Sequence, residues 1–291
     1  MREPSLYEKA YIKDQHFPIQ VSLKQFHYSG NIFNSHWHEA LEILYILSGS
    51  VDIECSAEKI TVNPGDVVVI NANELHRGDS VDNEISYYCI DMSVAFLKGS
   101  GADLCEIKYI DPIVRNLYRF KNKIGNDKEV VNCITDIIKE FESGEPGYEL
   151  AVKGSTYHLL TLLLRNHVQN ILTPEECDNR QKLFNKLKNA LIHIENHYTD
   201  KLSLDILAEQ CGFSLYHFCH EFKNTIGKSP GEYITLYRIA KAEELLMNSD
   251  MNITEIALST GFSDANYFSR MFRKYKEDSP SAYRKKNHIY K

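Results

Sequence analysis

The side chains best suited to coordination or hydrogen-bonding chemistry are three histidines and one carboxylate in the first third of the chain. His36, His38 and Glu42 follow one another closely, and His76 comes later. Strand alternation would place the first three on one face of a single strand. Three imidazoles and a carboxylate can hold iron, manganese, nickel or zinc. The same groups can instead hydrogen-bond one another or a polar small molecule such as a sugar. We expect this second role, with no metal and no other cofactor.

The carboxyl-terminal segment contains one sequence pattern twice. Gly212-Phe213-Ser214 returns 49 residues later as Gly261-Phe262-Ser263, and Phe218 returns 50 residues later as Phe268, so the second copy has one extra turn residue. Apolar residues at helical spacing precede each glycine and predict a short supporting helix. Ser214 and Ser263 suit the N-cap of the helix that follows. A unit repeated at a fixed period predicts two helix-turn-helix units and therefore DNA binding.

The second helix of each unit has an apolar face and a polar face. In the second copy Phe268 and Phe272 lie on the predicted buried side, with Asn266 and Arg270 opposite them. Asparagine can read adenine and arginine can read guanine through paired hydrogen bonds in the major groove. We therefore expect six residues to reach the bases, with Asn266 and Arg270 the stronger readers: Tyr216, Cys219, His220, Ala265, Asn266 and Arg270.

These repeated residues resemble the AraC/XylS family of bacterial transcription regulators. The stretch Ile253–Tyr275, followed by Ser279–Arg284, is similar to the family signature almost position for position, and the resemblance covers residues 182–286. It implies a long helix at about Pro230–Met247 that joins two units on adjacent major-groove segments. The expected phosphate contacts are Lys223, Arg238, Lys241, Arg273, Lys274 and Arg284. The sequence departs from the family at Glu277, where glycine is usual.

The amino-terminal half has a second resemblance. Gly30–Gly49 matches the cupin pattern G-x5-H-x-H-x3-E-x6-G, and Pro64–His76 is similar to the second cupin motif. Short β-branched segments broken by turn residues agree with a sandwich or barrel. The resemblance implies an effector-binding cupin in which His36, His38, Glu42 and His76 contact the effector.

These observations divide the chain into four parts. We predict a mixed fold with a cupin or jelly-roll β-barrel at 1–110, a helical dimerisation or cover region at 111–175, a linker at 176–181, and an all-α double helix-turn-helix domain at 182–291. Ile113, Leu117 and Phe120 fit one helix face. The apolar arc Leu159–Leu164 either joins two copies of the chain or covers the barrel, and the pattern leaves both possibilities open.

Charge and composition agree with this division. The 291 residues carry a net charge of −7, but residues 180–291 have 17 basic and 13 acidic side chains, and residues 1–179 have 16 and 27. A basic helical half joined to an acidic half suits a DNA-binding module fused to a sensor. The first residues do not form a signal peptide, and the seven cysteines show no paired spacing. These features predict a cytoplasmic protein with reduced thiols and no membrane span.

We therefore predict a transcription regulator with no catalytic residue, controlled by a small effector that is by family resemblance a sugar or sugar derivative, and acting on carbohydrate-use genes. The expected partners are double-stranded DNA, the effector, RNA polymerase and a second copy of the chain. Two alternatives stay open. One is a metal-dependent cupin enzyme with a helical targeting module, and the other is a ligand-independent activator of stress or virulence genes.

Overall fold

A computed structural model describes residues 14, 16–55, 58–99 and 103–288. They form two compact units that divide between residues 180 and 181. The first unit is rich in strands and the second is helical, so the predicted mixed fold is confirmed. The prediction about the first residues of the chain lies outside the described residues. No helix in the described part of the chain has the length and apolar character needed to span a membrane.

The strands of the first unit form two antiparallel sheets and one short pair. Their bounds are β1 Ile19–Phe26, β2 Gly30–His36, β3 Leu41–Ser48, β4 Val51–Cys55, β5 Glu58–Val62, β6 Val67–Ile70, β7 His76–Ser80, β8 Ile85–Met92, β9 Tyr118–Phe120, β10 Lys123–Gly125 and β11 Val168–Ile171. One sheet has the order β1-β8-β3-β6-β10, the other has the order β2-β7-β4-β5, and β9 pairs with β11. The arrangement is the double-sheet, jelly-roll form of the expected barrel. Among the described strands it is not closed by hydrogen bonds.

The central strands β3 and β6 of the five-stranded sheet are largely buried on both faces. Along β3, Leu44 and Ile46 face a core shared with the four-stranded sheet, and Ile43 faces a second core on the opposite side. All four residues of β6 are buried for the same reason. A strand covered on both faces is apolar without alternation, which explains the continuous Val-Val-Val-Ile sequence of β6.

The second core lies against helices from the region 111–175. These helices are α1 Asp111–Val114, α2 Lys128–Ser143 and α3 Tyr148–Asn166. Leu159 and Leu163 of α3 are fully buried in the core that also contains Ile43 and Ile90. The arc Leu159–Leu164 therefore covers the sheet, which is one of the two possibilities that the pattern left open.

The region 111–175 is less helical than predicted. The helix that contains Ile113 ends at Val114, and Phe120 belongs to strand β9. Asn116 has a left-handed backbone with φ of 60°, and its amide donates to the Ala72 carbonyl. A left-handed residue stops an α-helix, so Ile113, Leu117 and Phe120 do not share a helix face.

The helices of the second unit follow the repeat. Helix α4 spans Pro174–His197, and the later helices are α5 Leu204–Gln210, α6 Leu215–Ile226, α7 Pro230–Asn248, α8 Ile253–Ser259, α9 Ala265–Lys276 and α10 Pro280–His288. The pairs α5–α6 and α8–α9 are the two helix-turn-helix units, and α7 is the expected long connection. Residues 176–181, expected as a linker, lie inside α4.

Candidate effector and DNA-binding sites

Four of the predicted site residues converge between the two sheets. His36 ends β2 and pairs with His76 at the start of β7, while Glu42 lies on β3 of the other sheet. His38 lies in the segment that crosses between the sheets. One nitrogen or oxygen atom from each of the four residues lies within 4.8 Å of the others. The expectation of one continuous strand was wrong, but the crossing brings the same residues together.

The three imidazoles are each held through Nδ1 by a backbone carbonyl oxygen. His36 bonds to Asn34 at 2.8 Å, His38 to Ala40 at 3.1 Å, and His76 to Glu74 at 2.8 Å. A carbonyl oxygen only accepts, so each Nδ1 must carry a proton. The other ring nitrogen, Nε2, is left for contacts inside the cluster.

Glu42 is the centre of the cluster and is buried. Its Oε2 lies 3.1 Å from Nε2 of His38 and 3.0 Å from Nε2 of His76. Its Oε1 accepts from the Cys89 thiol at 3.1 Å. The carboxylate is thus fixed by contacts from both sheets.

Burial and charge shift the pKa values of the cluster in different directions. Burial, followed by the nearby His76, lowers the pKa of His36 to about 3. Burial alone would lower the pKa of His38, but the hydrogen bond and charge of Glu42 outweigh it and raise the pKa. Burial would raise the pKa of Glu42, but contact with His38 and His76 holds it well below its usual range. The carboxylate is therefore ionised inside the protein.

Cys89 was missed by the sequence reasoning. It lies on β8, where it pairs with Leu44 of β3, and burial raises the pKa of its thiol well above the ordinary value. The thiol is therefore protonated and can donate to Glu42. Its place depends on strand register across 47 residues, for which the sequence has no local signal.

Trp37 is the residue between His36 and His38. It is only 3% exposed and packs inside the first unit. A tryptophan buried beside His36 and His38 can report changes at the cluster by fluorescence.

The polar faces of α6 and α9 are open to solvent. In α9, Asn266, Arg270, Arg273 and Lys274 are exposed, and Ala265 is partly exposed. Arg270 lies over the ring of the neighbouring Tyr267, with its Cζ 5.4 Å from the centroid.

The equivalent face of α6 is largely uncharged. Tyr216 is 82% exposed, and its ring stacks beside His220 at a centroid distance of 6.4 Å. Cys219 is half-buried, His220 is exposed and hydrogen-bonds Asn224, and Lys223 is exposed.

The N-caps of the two recognition helices differ. Ser214 caps α6 by accepting from the amide of His217, as predicted. In the second unit the cap is Asp264, which accepts from the amide of Tyr267, while Ser263 donates to Asp264. The prediction of Ser263 as the N-cap was wrong, because the extra turn residue of the second copy moves the cap by one position.

Three of the expected phosphate contacts have other partners. Lys241 is only 6% exposed, and its Nζ lies over the rings of Tyr198 and Tyr237, so it is too buried to meet a phosphate. Arg238 donates to the carbonyls of Tyr198 and Asp200.

Arg284 has a comparable role and donates to the carbonyls of Leu246 and Met251. Both arginines tie the segment before a supporting helix to a later helix. Lys241 is therefore not a phosphate contact. Arg238 and Arg284 instead hold in place the segments that lead into the supporting helices.

Gly261 lies at the joint between the two helix-turn-helix units. Its φ is 81°, and a Cβ there would stand 2.3 Å from the Tyr198 carbonyl oxygen and 2.9 Å from Nε of Arg238. The turn of the second unit therefore packs directly on the segment that leads into the first. Gly212, the equivalent glycine of the first unit, has a φ of 70° with open space around it.

Both halves of the chain match known families. Residues 18–160 match the AraC-like ligand binding domain, and residues 207–286 match a helix-turn-helix domain. With the fold and the duplicated units, these matches show that the chain belongs to the AraC/XylS family. It is a DNA-binding transcription regulator with an amino-terminal ligand-binding domain.

Individual relatives agree with this assignment. The chain is 27% identical over 262 residues to the uncharacterised HTH-type transcriptional regulator YdeC of Bacillus subtilis (strain 168), covering 87% of this chain and 86% of that protein. It is 26% identical over 256 residues to the HTH-type transcriptional activator RhaS of Shigella sonnei (strain Ss046), covering 85% and 86%. The structure of ToxT from Vibrio cholerae in its P21 form is similar, with a TM-score of 0.51, 17% identity and coverage of 91% and 97%. This last likeness concerns the fold alone.

Proposed function

We propose that a small polar effector, a sugar or sugar derivative, binds in the ligand-binding domain and changes how the regulator occupies DNA near carbohydrate-use genes. The observation that carries this proposal is the polar cluster of His36, His38, Glu42 and His76 in an otherwise apolar interior. Ligand sites are mostly apolar with a few convergent polar groups. The ring of Phe33 lies 5.9 Å from the rings of His36 and His76 and supplies an apolar wall beside them.

The DNA contacts are proposed for the exposed faces of α6 and α9. Asn266 and Arg270 read bases from α9, with Ala265 at the start of that helix in contact with the groove. Tyr216, Cys219 and His220 take the equivalent place on α6. Phosphate contacts come from Lys223, Arg273 and Lys274, which are exposed cations on the same two helices. The 19 residues of α7 span about 28 Å and give a rigid connection between two units that would meet successive major-groove segments about 34 Å apart.

The regulator is further proposed to act in the cytoplasm as a homodimer and to contact RNA polymerase. Most leucines of the arc Leu159–Leu164 are buried within the first unit, so little of the arc is available to a second copy. Leu104 and Ile107 are 74% and 59% exposed in the segment before α1 and are better placed for a second copy. Light scattering of the full chain with Leu104→Glu and Ile107→Glu variants would test this, since an unchanged dimer would contradict this choice of surface.

Mapping the occupied sites across the host chromosome tests the function itself. A regulator of carbohydrate use would occupy a few sharp sites upstream of transporter or sugar-processing genes, and occupancy would change when the sugar is supplied. Diffuse occupancy would contradict sequence-specific regulation. Sharp sites that no sugar alters would favour the ligand-independent alternative.

A further inference from the structure

The proposed guanine reader Arg270 lies against an aromatic ring of its own helix. Its Cζ is 5.4 Å from the centroid of the Tyr267 ring, one turn earlier in α9. Residues three apart on an α-helix are neighbours on its surface. A guanidinium over an aromatic ring is attracted by the negative charge of the ring face. The Tyr267 ring therefore restricts where the Arg270 guanidinium lies before DNA arrives.

Tyr267 is itself held by a buried ring. It is 37% exposed, and its ring centroid lies 6.0 Å from that of Phe262, which belongs to the core of the second helix-turn-helix unit. The backbone amide of Tyr267 donates to the Asp264 carboxylate that caps the helix. Tyr267 thus joins this core to the exposed side chain of Arg270.

The contacts continue beyond Phe262 to the joint between the two helix-turn-helix units. Cζ of Arg238 lies 6.0 Å from the centroid of the Phe262 ring. Arg238 is fixed in turn, because it donates to the carbonyls of Tyr198 and Asp200 at 2.8 Å each. Two rings therefore lie in sequence between two guanidinium groups, a series that we call the aromatic ladder: Arg238, Phe262, Tyr267 and Arg270.

The first helix-turn-helix unit is arranged differently at the equivalent positions. The ring centroids of Phe213 and His217 are 4.7 Å apart, so the inner pair of rings is repeated. The equivalent of the reader, His220, stacks beside Tyr216 at a centroid distance of 6.4 Å. The first unit thus pairs its reader with a ring outside the repeated inner pair, whereas the second unit connects its reader to the ladder.

We propose that Tyr267 is a positioning residue for base recognition, whose ring holds the Arg270 guanidinium ready to meet a guanine edge. A bidentate contact needs the guanidinium in one orientation, and an arginine side chain loses rotamer freedom when it adopts that orientation. A ring that already limits these rotamers lowers the cost of ordering on binding. The inference rests on the proposed reading by Arg270 and names the residue that sets its accuracy.

Fluorescence titrations of the full chain test this role. The probes are a duplex selected by the chain from a random library and duplexes altered at the base pair where Arg270→Ala relaxes specificity. The ratio of the two affinities measures discrimination. We expect Tyr267→Leu, which keeps apolar packing on Phe262 but has no ring, to reduce this ratio about twofold to fivefold, as the loss of one exposed cation–π contact predicts. Tyr267→Phe keeps the ring and should keep the ratio.

The same substitution in an Arg270→Ala chain separates positioning from direct contact with DNA. A residue that acts only through Arg270 has no further effect once that side chain is absent. We therefore expect Tyr267→Leu combined with Arg270→Ala to bind as Arg270→Ala alone does. His217→Leu is the matched control in the first unit and should leave discrimination at this base pair unchanged. Circular dichroism confirms that each variant is folded, and a purely structural role would lower the affinity for all duplexes equally without changing the ratio.

Three results would overturn the proposal. One is an unchanged ratio in Tyr267→Leu, and another is an equal loss in Tyr267→Phe, which would assign the effect to the hydroxyl group. The third is a further loss of affinity in the double variant, which would show that Tyr267 contacts DNA itself. In each case the effect of Arg270→Ala stays intact. If Arg270→Ala relaxes no base pair, the proposed reading by Arg270 fails and this inference fails with it.

Discussion

The two helix-turn-helix units share a fold but differ in the chemistry of their exposed faces. Positions 266, 270 and 274 of the second unit carry Asn, Arg and Lys, whereas the equivalent positions 216, 220 and 224 carry Tyr, His and Asn. The cores of the two units are nearly interchangeable, with a Phe-Phe pair at the centre of each. Packing therefore fixes the duplicated fold, while the exposed residues are free to give each unit its own affinity for DNA.

The supporting contacts of the two units differ as well. The turn of the second unit at Gly261 packs on Tyr198 and Arg238, while the turn of the first unit at Gly212 meets open space. The C-cap of α6 is Gly227, while that of α9 is Glu277, with φ of 63°. The turn of the second unit is thus the more tightly packed of the two, and we propose that this unit is also the stronger reader of DNA.

The largest effect is expected from adding a methyl group at Gly261. In Gly261→Ala the new carbon would overlap the Tyr198 carbonyl oxygen, and with the left-handed backbone the change should destabilise the helical unit by about 3 kcal/mol or more. Gly212→Ala has the same backbone cost without the overlap and should lose only about 1–2 kcal/mol. Amide hydrogen exchange in α8 and α9 of the full chain measures the difference. Equal losses would mean that the joint is not packed as described.

The next largest effect is expected in DNA affinity, when Arg270, the proposed guanine reader, is removed. Arg270→Ala is expected to cost about 1–3 kcal/mol of DNA-binding free energy and to relax specificity at one base pair. The equivalent change in the first unit, His220→Ala, should cost less than about 1 kcal/mol. Fluorescence titrations on one operator and its single-base variants measure both effects. A larger loss in His220→Ala than in Arg270→Ala would reverse the comparison.

The salt dependence of DNA affinity distinguishes the two units at their expected phosphate contacts. Lys274→Gln should reduce the slope of log affinity against log salt by about 0.9, since one fewer counterion is released. Asn224→Gln changes the equivalent neutral position and should leave the slope unaltered. A slope that is the same in both variants would place Lys274 away from the phosphates.

The smallest effect concerns the C-cap of α9. Glu277→Gly removes the cost of a left-handed backbone at a residue with a side chain, so we expect a gain of about 1 kcal/mol in the free energy of unfolding. Gly227→Ala, at the matching cap of α6, should lose a similar amount. Urea titrations followed by circular dichroism measure both. A loss of stability in Glu277→Gly would show that the Glu277 side chain makes a contact worth more than the strain.

Much of the helical unit was predictable because its signals are local. A glycine turn, an N-cap and helical periodicity each lie within a few residues, and the repeat shows them twice. The N-cap of α9 is Asp264 and not the predicted Ser263. The change in repeat spacing revealed the extra turn residue, but the prediction did not move the N-cap to match it. The burial of Lys241 was not predictable, since α7 is packed on more than one side and a helical wheel alone does not reveal this.

The polar cluster was predictable in its members and not in its geometry. The motif spacing brought His36, His38, Glu42 and His76 together, but the crossing between sheets and the contact with Cys89 depend on long-range strand register. The short strands β9 and β11 were not predicted for the same reason, since Tyr118–Phe120 and Val168–Ile171 pair across some fifty residues.

We propose that two unequal units of one chain read successive segments of one DNA face. Selection of binding sites from a random duplex library by the full chain tests it most directly. We predict an enriched site with two half-sites separated by about 10–10.5 base pairs, one strongly and one weakly specified, with the strong half-site lost in Arg270→Ala. Enrichment of a single half-site, or of two half-sites that Arg270→Ala leaves unchanged, would contradict this account.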